Sequence, residues 1–166
     1  MTLNWTVVLL TSLVPMLVGF IYYNPKVVGN AWMRASGMTL EKAKSANMIK
    51  VFGFSLLFSI MLASMIPSVV IHQFHFPSFL MNQPGFNQEG SEVNVFMKDT
   101  LAKYGKEFRT FKHGALHGFL MSLFVALPLI GIGSLYEMKG AKYNLITWGY
   151  WAISLTLMGG IICQFA

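Results

Sequence analysis

The chain has 166 residues, a length that suits one domain, and 55% of them are hydrophobic while only 11% are charged. An average soluble domain carries about 25% charged residues, so this composition excludes a water-soluble globule and makes lipid the solvent for much of the surface. The formal charge of +6 comes from Lys and Arg spread beside apolar runs, which suits anionic headgroups; with no basic stripe or recognition module, nucleic acid is excluded as a partner.

Four apolar runs, at residues 3–22, 51–71, 115–135 and 145–165, reach the roughly 20 residues that cross a hydrocarbon core of about 30 Å. They predict an all-α integral membrane protein, a single four-helix domain over residues 1–166. The N-terminus, MTLNW, has no basic n-region, and no small-residue cleavage site follows the first run, which therefore reads as a retained helix. Trp5 and the Tyr22-Tyr23 pair bracket that run at the two interfaces, and Pro15 is expected to kink it.

The next stretch, Tyr22 to Gly37, reads YYNPKVVGNAWMRASG. Asn24 is a suitable cap for a helix whose first residue is Pro25, where a missing N–H costs nothing. Val28 and Trp32 fall four apart on one face, while Lys26, Asn30 and Arg34 repeat on another. Gly37 suits the position just past the helix end, and Thr39 then caps a following helix with Glu41 in its first turn. The spacing predicts an amphipathic helix over 25–36, lying in the headgroup plane between two spans. It acts as a collar fixing the turn, or as a ligand-binding loop.

In the second span Ser55, Ser59 and Ala63 make a small-residue ridge for helix packing, and Pro67 lies near the far end. The connection that follows divides in two. Residues 73–90 hold two Pro-bearing turns and scattered Phe, which predicts an irregular segment. From Ser91, an N-cap, Val93, Phe96, Met97, Leu101, Tyr104, Phe108 and Phe111 recur at three and four, predicting an amphipathic helix over 91–110. The third span contains Pro128, and the fourth opens on Trp148, Tyr150 and Trp151. Asn4, Asn24, Asn144 and Gln164 mark helix ends, where backbone capping is the expected role. Cys163 is the only cysteine, expected as a buried, inert thiol.

The aromatic pair, the Pro turn, Gly29 and then Ala31-Trp32-Met33-Arg34-Ala35-Ser36-Gly37-Met38-Thr39 resemble the signature of the family labelled domain of unknown function 1761. Pro128, Tyr136-Glu137, Gly149-Tyr150 and Leu157-Met158-Gly159-Gly160 are similar to that family's last two helices. Residues 72–110 carry no part of the likeness. The resemblance implies a small four-helix protein of the bacterial inner membrane. It implies no activity. Within it Tyr22, Tyr23, Asn24, Pro25, Gly29, Trp32, Arg34 and Gly37 form the interfacial motif.

Orientation follows from basic residues near helix ends. Lys26, Arg34, Lys42, Lys44, Lys50, Lys139 and Lys142 lie in the first and third loops, against Lys98, Lys103, Lys106, Arg109 and Lys112 on the opposite side. That bias puts both termini in the periplasm.

No Asp or Glu lies within a span, which counts against a proton pump or coupled transporter. Signatures of soluble enzymes are missing too, so no catalytic residues are assigned. Histidine is the exception. His72 and His75 sit where the second span ends, and His113 and His117 where the third begins, so all four share one side of the membrane. His113 and His117, at i and i+4, project from one helix face and can share an ion, with His72 and His75 as further ligands. Gly114, Gly118 and Ser122 form a smooth stripe beside them, expected to let a neighbouring helix bring that second pair in. Imidazoles suit zinc or copper, and a pair suits haem. The same four residues also read as interfacial packing, or as a pH-responsive group.

Packing features are plentiful and reactive groups few. The favoured reading is a non-catalytic structural or accessory subunit acting through helix packing, in a homo-oligomer or a larger membrane complex. The alternative is a metal- or cofactor-binding, redox-capable membrane protein using the histidines. A small-solute channel or transporter formed by oligomerisation is a third class.

Overall fold

A computed structural model describes residues 3–166. All regular structure among them is helical, and four helices are long and apolar enough to cross a bilayer: α1 (Trp5–Tyr22), α4 (Met48–Val70), α7 (Phe111–Tyr136) and α8 (Ala141–Phe165). Between α1 and α4 lie α2 (Asn30–Ser36), entered through a π turn at Pro25–Gly29, and α3 (Leu40–Lys44). The long connection holds a 3₁₀ turn (His72–His75), α5 (Phe76–Leu80) and α6 (Glu92–Tyr104).

Two of the spans carry the mark of a proline. α1 is regular over Trp5–Thr11 and again over Val14–Tyr22, broken one turn before Pro15, whose missing N–H leaves the Thr11 carbonyl without its helical donor. Buried Thr11 and Ser12 satisfy their hydroxyls by donating back to the Val7 and Leu9 carbonyls, at 2.7 and 2.6 Å. In α7 the turn Ser122–Ala126 widens to a π bulge just before Pro128, which relieves the clash between the proline ring and the preceding turn. The Trp148 indole N–H donates to the Ser122 carbonyl at 3.1 Å and fixes the bulge against α8.

Helix α8 is the centre of the arrangement, touching α1, α2, α4 and α7. The core lies toward the end of the bundle that holds the long connection, where Val8, Ala63, Ile66, Val70, Leu155, Met158 and Ile162 are buried together. The ridge of α4 reaches this core: Ser59 and Ala63 are buried, with Ser55 half-buried one turn before. Between α7 and α8 the backbones meet. A Cβ at Gly114 would overlap the Gly159 carbonyl and the Cys163 side chain, and one at Gly118 would overlap the Leu155 carbonyl. The glycine stripe thus seats the fourth span, whereas sequence alone had assigned it to the approach of the second. Elsewhere the spans show bare apolar surface: Phe20, Ile49 and Leu135 are 81%, 86% and 74% exposed. In water such surface would drive aggregation; in a bilayer it is solvated.

Several boundaries differ from the pattern reading. Residues 73–90 hold the 3₁₀ turn and α5, whose first turn accepts Pro77, rather than irregular chain throughout. Ser91 caps α6 as expected, its hydroxyl accepting from Asn94 N–H at 3.3 Å, but the helix stops at Tyr104 and not at 110. α7 starts at Phe111, four residues earlier than the apolar run, so that its first turn is polar. Asn144 lies inside α8 instead of capping it, because the helix begins from Gly140.

Candidate metal centre

The histidine end is assembled by two helix terminations. α4 ends at Ile71, which leaves helical geometry (φ −114°, ψ 94°), and the chain turns tightly through His72–His75. Gln73 staples that turn to the end of α6, its amide donating to the Glu107 carbonyl at 2.6 Å and the Tyr104 carbonyl at 3.2 Å. On the other side Thr110 caps α7, its hydroxyl accepting from His113 N–H at 3.3 Å. Gln164 of α8 accepts from Phe111 N–H at 3.1 Å, capping a neighbouring helix rather than its own.

Beneath these turns lies Cys163, fully buried. Its thiol donates to the carbonyls of Val70 and Phe108 at 3.3 and 3.4 Å, tying the end of α4 to the residues that precede α7. Arg109 donates to the Cys163 carbonyl at 2.6 Å. The expected inert thiol is a structural pin.

Three histidines converge above this floor. The rings of His113 and His117, one helical turn apart, meet edge-on with centroids 4.5 Å from each other, and His72 stands edge-on to both at 4.9 Å. One ring nitrogen from each of the three lies within 4.8 Å of the others. The Nε2 atoms of His72 and His113 are 2.9 Å apart, close enough for one N–H to donate to the other's lone pair. In a tetrahedral zinc site with bonds of about 2.0–2.1 Å the nitrogens stand about 3.3 Å apart, between the 2.9 Å of the His72–His113 pair and the 4.8 Å limit of the group, so the rings must turn to admit an ion. His72 is exposed and the other two are half-buried, so the cluster lies at the surface of the bundle. The Phe108 ring covers His113 at 5.3 Å.

His75, expected as a fourth member, is not brought in. Its Nε2 is bonded to the Ser68 carbonyl, one turn back on α4. His72 and His75, three apart in the 3₁₀ turn, have different partners: His72 meets His113 and His75 reaches back to α4. The Gln73, Gln164 and Arg109 bonds had no signal in spacing, since each joins residues more than 30 positions apart.

The interfacial motif assembles at the opposite end. Asn24 accepts from Lys26 N–H at 2.9 Å, and Pro25 opens the π turn in which Gly29 N–H reaches the Asn24 carbonyl at 3.0 Å. A Cβ at Gly29 would overlap the Tyr23 carbonyl, which requires glycine there. Trp32, half-buried, packs edge-on to Tyr23 with centroids 5.4 Å apart. Arg34 is exposed in the last turn of α2, and Gly37 ends the helix with φ +75°. The Lys139 ammonium donates to the Ser36 carbonyl, and the Tyr22 hydroxyl to the Ile146 carbonyl at 3.0 Å. Burial, and then the nearby phenol of Tyr150, holds the Tyr23 pKa above its ordinary value, so that this hydroxyl stays neutral. The motif is a latch of packed groups.

These features define an all-helical chain with four helices of membrane-spanning length and polarity, bearing three clustered histidines at one end. The chain belongs to the family described as protein of unknown function (DUF1761), whose model matches residues 6–163, including the 72–110 connection. No curated protein and no solved structure matched it.

Proposed function

We propose that this protein is a metal-binding protein of the bacterial inner membrane, holding one transition ion on His72, His113 and His117. The observation that carries the reading is the convergence of three ring nitrogens, two from α7 and one from the turn after α4, within 4.8 Å. Two of them come from helical spacing alone, but the third requires the α4 termination and the Gln73 staple, both built into the fold. Three neutral nitrogens suit a borderline ion such as zinc or copper, whereas hard oxygen-seeking ions find no carboxylate in the group. Three nitrogens this close converge on one point, which favours a single ion over haem, whose flat macrocycle leaves room for one imidazole on a face.

The accessory-subunit reading rests on exposed apolar faces, and lipid accounts for those equally well. The convergence of three rings is more specific than either interfacial packing or a single pH-responsive histidine requires, and it favours the metal reading. The basic bias supports placing the first and third loops in the cytoplasm and the histidine end in the periplasm. With Cys163→Ala as background, cysteines at Lys44 and Gln88 should label from opposite sides, and labelling from one side would contradict the topology.

The test of function is metal analysis of the full chain, purified with a tag that contains no histidine and after brief exposure to zinc. One ion per chain in the wild type, lost in His113→Ala and kept in His75→Ala, supports the reading. Equal metal content in wild type and His113→Ala would contradict it.

A further inference from the structure

Resting on that metal centre, we infer that its fourth coordination position is open and faces a groove beside His72. The metal-loaded protein then binds a small molecule that has one donor atom on an aromatic or apolar body. The count of donors comes first. His75 is held by the Ser68 carbonyl, and the Cys163 thiol by the Val70 and Phe108 carbonyls, so neither nearby candidate completes a tetrahedron. No acidic side chain belongs to the group: Glu107, which lines the groove beside His72, lies outside it. Structural zinc sites fill four positions from the protein, whereas three protein ligands plus water is the pattern of exchangeable sites.

The groove gives the open position a direction. A cavity of about 350 Å³ begins at His72 and runs along α6, walled by Phe76, Leu101, Tyr104 and Phe108. Its volume is at the lower end of small-molecule sites, and its walls are those of such a site: apolar and aromatic surface with few polar groups. Gln73, Thr100 and Glu107 also line it, the Gln73 amide N–H group being occupied by the Tyr104 and Glu107 carbonyls, so the metal is the anchor nearest His72 while these side chains add a polar edge. Binding is a plain exchange. The metal–water bond breaks and a metal–nitrogen bond forms, water leaves, and no electron moves. An aryl group attached to the donor ring lies against the Tyr104 and Phe108 walls.

Cobalt(II) makes the exchange visible, because its visible absorption reports coordination number and ligand type. The full chain with a histidine-free tag is loaded with cobalt in detergent and titrated with azide, imidazole and 4-phenylimidazole. Azide is expected to shift the spectrum, and 4-phenylimidazole to bind at least about tenfold more tightly than imidazole, from burial of the phenyl ring. Tyr104→Ala should shrink that ratio in the same detergent, where micelle partitioning cancels, and leave the azide response unchanged. Cobalt bound with a spectrum insensitive to all three ligands would overturn the open position while leaving the metal centre intact. An azide response with no preference for the aryl ligand would overturn the groove as its direction. Failure to bind cobalt in the wild type would remove the metal centre itself, and the inference with it.

Discussion

The two ends of the helix bundle are built by different means. At the histidine end, backbone meets backbone: Gly114 and Gly118 of α7 lie directly on Gly159 and Leu155 of α8, and the surrounding side chains are buried. At the aromatic end, long side chains bridge elements that stand apart. Tyr22 reaches the Ile146 carbonyl, Tyr150 the Pro15 carbonyl and Lys139 the Ser36 carbonyl, while the first turns of α4 leave Ile49, Phe52 and Phe54 exposed. Close-packed backbone sets positions to a few tenths of an ångström, because nothing between the helices can yield. Side-chain latches hold an angle and tolerate adjustment. A three-ligand ion site of the kind proposed needs the first kind of precision, and the histidine cluster lies at that end.

Substitutions that act on one end only can break this contrast. The largest effect is expected from His113→Ala, which should weaken zinc binding at least about hundredfold, since even outer-shell partners of metal ligands are worth tenfold or more. His75→Ala should leave the affinity unchanged; the pair is read by competition with a chelating dye. Gly118→Ala comes next. Its methyl group has no space against the Leu155 carbonyl, and overpacking of that kind costs about 1–3 kcal/mol. Gly131→Ala in the same helix meets nothing within 4 Å and should be neutral or slightly stabilising, as helix propensity favours alanine. Thermal melting in one detergent compares the two, and equal melting points would mean that the α7–α8 contact is not close. Gly118→Ala should also weaken zinc binding, because it displaces the helix that carries two ligands.

Smaller effects belong to the aromatic end. Tyr22→Phe removes one hydrogen bond to the Ile146 carbonyl and should cost about 0.5–1.5 kcal/mol, with zinc affinity unaffected. If Tyr22→Phe changed the metal site as much as Gly118→Ala does, the two ends would not be independent. Trp32→Ala loses its edge contact with Tyr23, and because the ring is half-buried the cost should fall below the about 3–5 kcal/mol of a fully buried Trp.

Much of this was legible in residue order. Composition and four apolar runs are sufficient for the helical class, because no other backbone arrangement satisfies its polar groups over runs of that length in lipid. Local chemistry was legible as well: Asn24, Thr39 and Ser91 cap the helices they precede, and Gly37 ends α2. What spacing could not supply was which neighbour each face meets. Gly114 and Gly118 read as a smooth stripe, but that Gly159 fills it depends on the order of helices around the bundle. His113 and His117 share a face by helical period alone. Admission of His72 and exclusion of His75 turn on where α4 stops, a boundary fixed by the Gln73 and Cys163 bonds to distant carbonyls. The π turn at Pro25 was equally hidden, since it rests on the fit of Gly29 against Tyr23.

The proposed centre is one ion held by three imidazoles, two from α7 and one from the turn after α4, and X-ray absorption at the zinc edge of the loaded protein reads that arrangement directly. The predicted result is three imidazole nitrogens at about 2.0–2.1 Å and one further light atom, reduced to two imidazoles or lost in His72→Ala. A shell of oxygen neighbours with no imidazole scattering, or a spectrum identical in wild type and His72→Ala, would contradict it.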